Sequence, residues 1–165
     1  MADLNKALVL AKEPIRESDY LVVLYLEKLG KFSALAKSAR KINSKLNSAL
    51  EPGNLIYVKF VKGKNNLTII DAFKIGVLNI TISDLEKLAV ILSGSADKNI
   101  WNLITNKNID WKKLIKLLGW DPENAYCLKC HSKDVSAFEI NRQFFLCSKC
   151  FLKLDSKERL DFLTF

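Results

Sequence analysis

The chain has 165 residues, 49% of them hydrophobic and 27% charged, enough apolar material for one or two small cores and too much for a disordered protein. Uncharged stretches such as Ile75–Ser83 fall far short of the about 20 apolar residues a membrane helix needs. The opening MADLNKALVLAKEPI has no small-residue cleavage site behind its short apolar run, so a soluble, cytoplasmic protein without a signal peptide is expected.

The net charge of +8 is uneven: residues 1–76 hold 13 Lys+Arg against 7 Asp+Glu, and 77–125 hold 6 against 6. Between Lys28 and Leu50 there are six cations and no acid, which points to a polyanionic partner.

Five short β-favouring runs open the chain: Lys6–Ala11, Tyr20–Leu26, Lys31–Lys37, Leu55–Val61 and Leu67–Ile75. Turn-forming stretches such as KEPIRESD, EKLG, EPGN and KGKNN separate them, and KGKNN suits a tight hairpin between the last two. Ile42, Leu46 and Leu50 recur at helical spacing between the third and fourth runs. Five strands with a helix between the third and fourth is the element order of an OB-fold, a small partly open barrel that commonly binds oligonucleotides. The dense cations fall at the end of the third strand and in the loop after it. Arg16, Lys37, Arg40, Lys41, Lys45, Lys62 and Lys64 are therefore the candidate phosphate contacts, which position a nucleic acid without reading its sequence. Tyr25, Phe32, Tyr57 and Phe60 are candidates for base stacking, but the pattern does not assign their faces.

After Gly76 the period becomes helical. Ser83 with Glu86 reads as a capping box opening a helix with Leu85, Leu88, Ala89 and Leu92 on one face. Two further helices are predicted over Asp97–Thr105 and Asp110–Leu118, the last stopped by Gly119. Their apolar stripes read as packing surfaces.

All four cysteines lie near the end, as CLKC (Cys127, Cys130) and, after sixteen residues, CSKC (Cys147, Cys150). Two CxxC pairs at this spacing read as one tetrahedral Zn2+ site of four thiolates. VSAFEI and QFFLC flank Asn141 and Arg142 as a hairpin returning the second pair to the first. A four-thiolate site is closed, hence structural; His131, the only histidine, reads as a turn residue. Lys129, Lys133, Lys149 and Lys153 crowd the site and offset its negative charge. With one histidine, six glycines, no GxSxG and no phosphate-cradling loop, a binding protein rather than an enzyme is expected.

The expected architecture is α+β and multidomain. It comprises an OB barrel over 1–76, a helical domain over 77–125, an inserted four-cysteine zinc-finger hairpin over 126–151 and a C-terminal helix over 152–165 packing on the helical domain. An RNA-binding factor associated with ribosomes or translation shares these elements, because OB-folds bind either nucleic acid.

The stretch from KALVLAKEPIRESDY through KSARKINSKLNSALEPGNLI, together with LLGWDPENAYCLKC, resembles the RecO family of bacterial recombination mediators of the RecFOR pathway. The matching features are the step Glu17–Asp19, Gly30 before the third strand, the basic stretch with Ser44 and Lys45, and Pro52. The family often has glycine where Ser38, His131 and Phe151 stand here, and its helical region is usually longer. The resemblance implies a protein of DNA repair and recombination that binds single- and double-stranded DNA and anneals complementary strands. It further implies RecR and the acidic tail of single-strand binding protein (SSB) as partners, indirect help to RecA, and a place in the bacterial cytoplasm at the nucleoid.

Overall fold

The computed structural model describes residues 4–41, 44–63, 66–106 and 108–165. They form two compact units, 1–107 and 108–165.

The first unit is built on five strands, β1 (Asn5–Pro14), β2 (Tyr20–Leu26), β3 (Gly30–Ala36), β4 (Asn54–Lys62) and β5 (Leu67–Val77), closed into a barrel of order β1-β2-β3-β5-β4. Closure depends on β1, which pairs with β4 along Asn5–Leu8 and with β2 along Ala7–Pro14, with a register shift between Val9 and Ala11. Such a bulge bends a strand and increases its twist, which lets one strand serve two neighbours. Period-2 alternation sends Ala7, Val9, Val22, Leu24, Ala34, Ala36, Ile56 and Val58 into the lumen, all at most 1% exposed. Several are alanines, as a barrel of only five strands leaves little interior room.

Helix α1 (Lys45–Ala49) and its C-cap Leu50 contribute Ala49 and Leu50 to the same core. Buried Asn54 donates from Nδ2 to the carbonyls of Ser48 and Ala49, satisfying the exposed end of this short helix. Gly53, at φ +87°, gives its N–H to Val9 O, so the EPGN turn is tied to β1 as well as to β4.

Helices α2 (Ile82–Ile91) and α3 (Lys98–Ile104) belong to this first unit. The cap of α2 is Thr81, two residues before the expected Ser83; its hydroxyl accepts Asp84 N–H and donates to the Asp84 carboxylate. Asp97 caps α3 through the N–H groups of Asn99 and Ile100. The helices cover the outer surface of β1, β2 and β3. Tyr25 Oη donates to Ser95 O and its ring stacks on Trp101 at 6.4 Å, and Lys31 Nζ donates to Ala89 O.

The second unit holds α4 (Trp111–Leu117), capped by Asp110 and ended at Gly119 (φ +104°), then β6 (Ala137–Glu139), β7 (Phe144–Leu146) and α5 (Ser148–Phe151). Two expectations change. The helices over 77–125 divide between the units: α2 and α3 have the barrel wall to cover, whereas Leu114 and Ile115 of α4 are buried in the second unit. The expected helix over 152–165 is instead a 3-10 turn, Glu158–Asp161, followed by strand β8 (Phe162–Thr164) on the free edge of β6. An open β-edge offers unpaired N–H and C=O groups, and pairing there buries both Phe162 and Leu163.

Gly30 sits at φ +82°, and a Cβ on it would lie 2.5 Å from Gly94 O and from the backbone carbon of Ser95. Gly30→Ala should therefore cost about 2 kcal/mol or more in urea unfolding. Gly119→Ala, with nothing within 4 Å of the added atom, should cost only the conformational part, about 1 kcal/mol.

Candidate functional site

The β1–β2 loop, Ile15–Asp19, and the segment after β3, Lys37–Lys41, are interlocked at one end of the barrel. Asp19, 8% exposed, accepts the Ser38 N–H on Oδ1 at 2.8 Å. Arg40 donates its backbone N–H to Ser18 O at 3.0 Å and its guanidinium Nη1 to Arg16 O at 2.8 Å. Arg16 returns an ion pair to Asp19 at 3.8 Å. Ser38 adopts φ +54°, a conformation that favours glycine, and the bond from buried Asp19 holds it there. The Tyr20 ring lies between Lys12 Nζ, 4.6 Å from its centre, and the Arg40 guanidinium at 5.9 Å.

Arg16, Lys37, Arg40 and Lys41 are thereby gathered on one exposed rim, and Lys45 follows as the first residue of α1, also exposed. Lys62 closes β4; its cross-strand partner Leu67 pairs in turn with Ala34 of β3, so Lys62 stands about 10 Å, two strand spacings, from Ala34, two residues before β3 ends. Lys64 lies outside the described residues. Not every cation near this rim is available. Lys12 is spent on Glu51 at 2.6 Å and Asn47 at 3.1 Å, and Lys31 is bound to α2, where burial lowers its pKa. Among the described residues of the first unit, the ion pairs are Lys12–Glu51 and Arg16–Asp19.

The outer face of β2 and β3, a common oligonucleotide surface in OB-folds, is largely taken by α2 and α3. Tyr25 is buried there, and burial raises its pKa. Phe32 and Phe60 pack against the lumen core. Of the four aromatic candidates only Tyr57 is exposed, and the pattern missed its cross-strand partner Phe73, also exposed. Alternation with buried Ala72 and Ile69 was the available signal; an irregularity in β5 near Ile70 obscured it.

In the second unit, Cys127, Cys130, Cys147 and Cys150 place their sulfurs within 4.8 Å of one another. Cys130 Sγ is 3.6 Å from Cys147 Sγ, near the about 3.8 Å edge of a tetrahedron of ligands at about 2.3 Å. Pairing of β6 with β7 returns the second CxxC to the first, and Leu128 N–H donates to Phe145 O across the junction. His131 is exposed at φ +58° and donates its N–H to Cys127 O, so it closes the knuckle turn. Burial pushes the Cys127 thiol up, but the N–H groups of Cys147, Cys130 and Lys129 outweigh it and bring the group to about 6. Burial and the adjoining sulfurs push Cys150 up to about 12. Four sulfurs this close cannot all ionise without a cation among them, which is the chemistry of a metal site.

Fold and centres together define an OB-barrel protein with a basic rim, joined to a four-cysteine knuckle. The family profile "Recombination protein O N terminal" matches residues 1–76. The chain is 25% identical over 179 residues to a DNA repair protein RecO of Clostridium acetobutylicum, covering 88% of this chain and 70% of that protein. It is 25% identical to one of Thermodesulfovibrio yellowstonii, covering 88% and 69%, and 29% identical to one of Acetivibrio thermocellus, covering 81% and 64%. The first 76 residues thus match the family's N-terminal profile, and most of the chain is similar to RecO proteins.

Asp19→Ala would leave the Ser38 N–H without its acceptor and should lower stability by about 1–3 kcal/mol in denaturant unfolding. Asp19→Asn keeps an acceptor oxygen and should recover most of that loss; an equal loss in both variants would assign the effect to the charge alone.

Proposed function

We propose that this chain is a DNA-binding recombination mediator without catalytic activity of its own. It binds single- and double-stranded DNA and anneals complementary strands. The observation that carries the reading is the interlocked basic rim, where Arg16, Lys37, Arg40 and Lys41 are held together and no acid occurs between Lys28 and Leu50. Phosphate contacts of this kind fix a strand without reading its bases, which suits a protein that must act on any sequence. Two polyanions on one cationic surface also repel each other less, and the released counterions favour the complex. The relatives' description as DNA repair proteins supports the same reading. By family likeness, the partners are RecR and the acidic tail of SSB, with indirect assistance to RecA, in the bacterial cytoplasm at the nucleoid. Among the described residues no helix is long and apolar enough to cross a membrane.

We propose Zn2+ as the ion of the cysteine centre, since four sulfur donors in a tetrahedron suit it. Its role is structural: it supplies a fixed junction between the two knuckles, while Phe144, Leu146, Leu154 and Phe162 pack the small core beside the cysteines.

Reversing Lys37, Arg40, Lys41 and Lys45 to glutamate should abolish annealing. With about five phosphates neutralised, wild-type affinity for a single strand should fall roughly a hundredfold between about 50 and 200 mM salt. Unchanged annealing in the variant would refute the rim assignment. Annealing absent from the wild type, with binding to structured RNA retained, would favour an RNA-associated role.

Chelation should collapse the dispersion of the amide signals of residues 126–165 while those of the barrel keep their positions and DNA affinity stays within about twofold, because metal binding is folding energy only for the unit that holds the metal. Loss of DNA binding along with the metal would make the knuckle part of the interface.

A further inference from the structure

The outer wall of the β4–β5 hairpin carries a feature that the basic rim does not use. Lys6 of β1 is directly opposite Tyr57 of β4, and Tyr57 is directly opposite Phe73 of β5. Directly opposed residues share a face, so these three side chains form one row across three strands. Ile56 and Val58, flanking Tyr57, are fully buried in the lumen; Tyr57 and Phe73 therefore project outward, and they are 38% and 52% exposed. Among the described residues neither ring stacks on another aromatic ring. Two large rings held side by side in water on a rigid sheet form an apolar surface without an occupant in this chain.

The surroundings state what the occupant is. Lys6 ends the row with its ammonium 5.7 Å from the centre of the Trp101 ring, and Lys59, directly opposite Asp71, lies two residues along β4 from Tyr57, hence on the same face. Asp71 is the one acid on the hairpin, and its Oδ1 accepts the Ala72 N–H. Strand β5 runs parallel to β3 and continues beyond its end, and α1, which the basic segment leads into, packs on β5. A strand held by its phosphates at the rim thus has cations and aromatic faces within its path. The alternative stacking surface, the outer face of β2 and β3, is closed by α2 and α3.

We propose that Tyr57 and Phe73 form a base-stacking subsite for single-stranded nucleic acid on the outer face of the β4–β5 hairpin. The proposal rests on the nucleic-acid reading above and adds a discrimination that phosphate contacts lack. Unpaired bases can leave their own stack and lie on the two rings, whereas bases within a duplex cannot. Strands are then held while single and lose the aromatic contacts on pairing, so the annealed product is released from this subsite.

The test uses the full chain with Phe73→Leu and Tyr57→Leu, which keep apolar bulk and remove the π face. The probes are a dT oligonucleotide of about 16 nucleotides, an abasic oligonucleotide of the same length and a duplex. Each substitution should weaken dT binding about 5- to 100-fold, as expected for loss of one stacked base, and leave abasic and duplex affinities within about twofold. The salt slope should be unchanged, since no phosphate contact is removed. A 5-iododeoxyuridine oligonucleotide irradiated on the wild-type protein should cross-link to the peptides holding Tyr57 or Phe73.

Unaltered dT affinity in both variants, or cross-links confined to other strands, would overturn the proposal. An equal loss on all three probes would do the same, by assigning the residues a structural role. Loss of self-association with dT binding intact would give the surface to a protein partner instead. If the rim charge reversals weaken binding while the leucine variants do not, the rim reading stands and only the stacking subsite falls. A wild-type chain that binds no oligonucleotide at low salt would overturn both.

Discussion

The double pairing of β1 is the constraint on which the first unit depends. Its early residues bond to β4 and its later ones to β2, and the bulge around Leu10 supplies the bend between them. Closing the sheet removes its edges and fixes the lumen radius, which the alanines at positions 7, 34, 36, 49 and 72 then match. Closure also sets the loops: because β2 begins beside the end of β3, the Ile15–Asp19 loop meets the Lys37–Lys41 segment. Only then can Asp19 reach Ser38 and Arg40 reach the carbonyls of Arg16 and Ser18. The basic rim is thus held by bonds to backbone groups from Asp19 and Arg40, which leaves most of its cationic side chains exposed.

Charge near this rim separates into two kinds. Lys12 and Lys31 are structural, one stacked on Tyr20 and paired with Glu51, the other bonded to α2. Lys37, Lys41, Lys45 and Lys62 are exposed and make no ion pair among the described residues. A count of lysines along the chain does not distinguish these classes, because the partners of Lys12 and Lys31 lie far away in sequence.

The second unit solves a different problem. Fewer than sixty residues bury too little apolar surface to be comfortably stable, and cross-links or metals commonly supply what is missing. The four sulfurs sit against Phe162, Leu154 and Leu146, so the cysteine centre and the small core support each other. Arg159 completes the arrangement by donating to the carbonyls of Leu152 and Leu154 at the end of α5 while lying over the Phe151 ring. Strand β8 gives β6 a second neighbour and turns a two-stranded hairpin, marginal by itself, into a three-stranded sheet.

Local features were legible in the sequence because local rules produce them. Alternating apolar residues mark all five barrel strands, and EPGN and KGKNN mark their turns. The cysteine spacing by itself brings four thiols to one point, since a CxxC turn offers two sulfurs together and the VSAFEI–QFFLC hairpin returns the other two. Tertiary structure decided what depends on long-range partners. The tail over 152–165 reads as a helix in isolation and becomes a turn and a strand because β6 has an edge to fill. Helices of similar amphipathic pattern separate between units because the barrel wall covers the apolar face of α2 and α3 alone. The aromatics Tyr25, Phe32, Tyr57 and Phe60 look alike along the chain, and register, bulges and the covering helices select the one that faces solvent and give it Phe73 as a neighbour. Periodicity specifies that a side chain lies on one face or the other; which face meets water is set by what the rest of the chain packs against it.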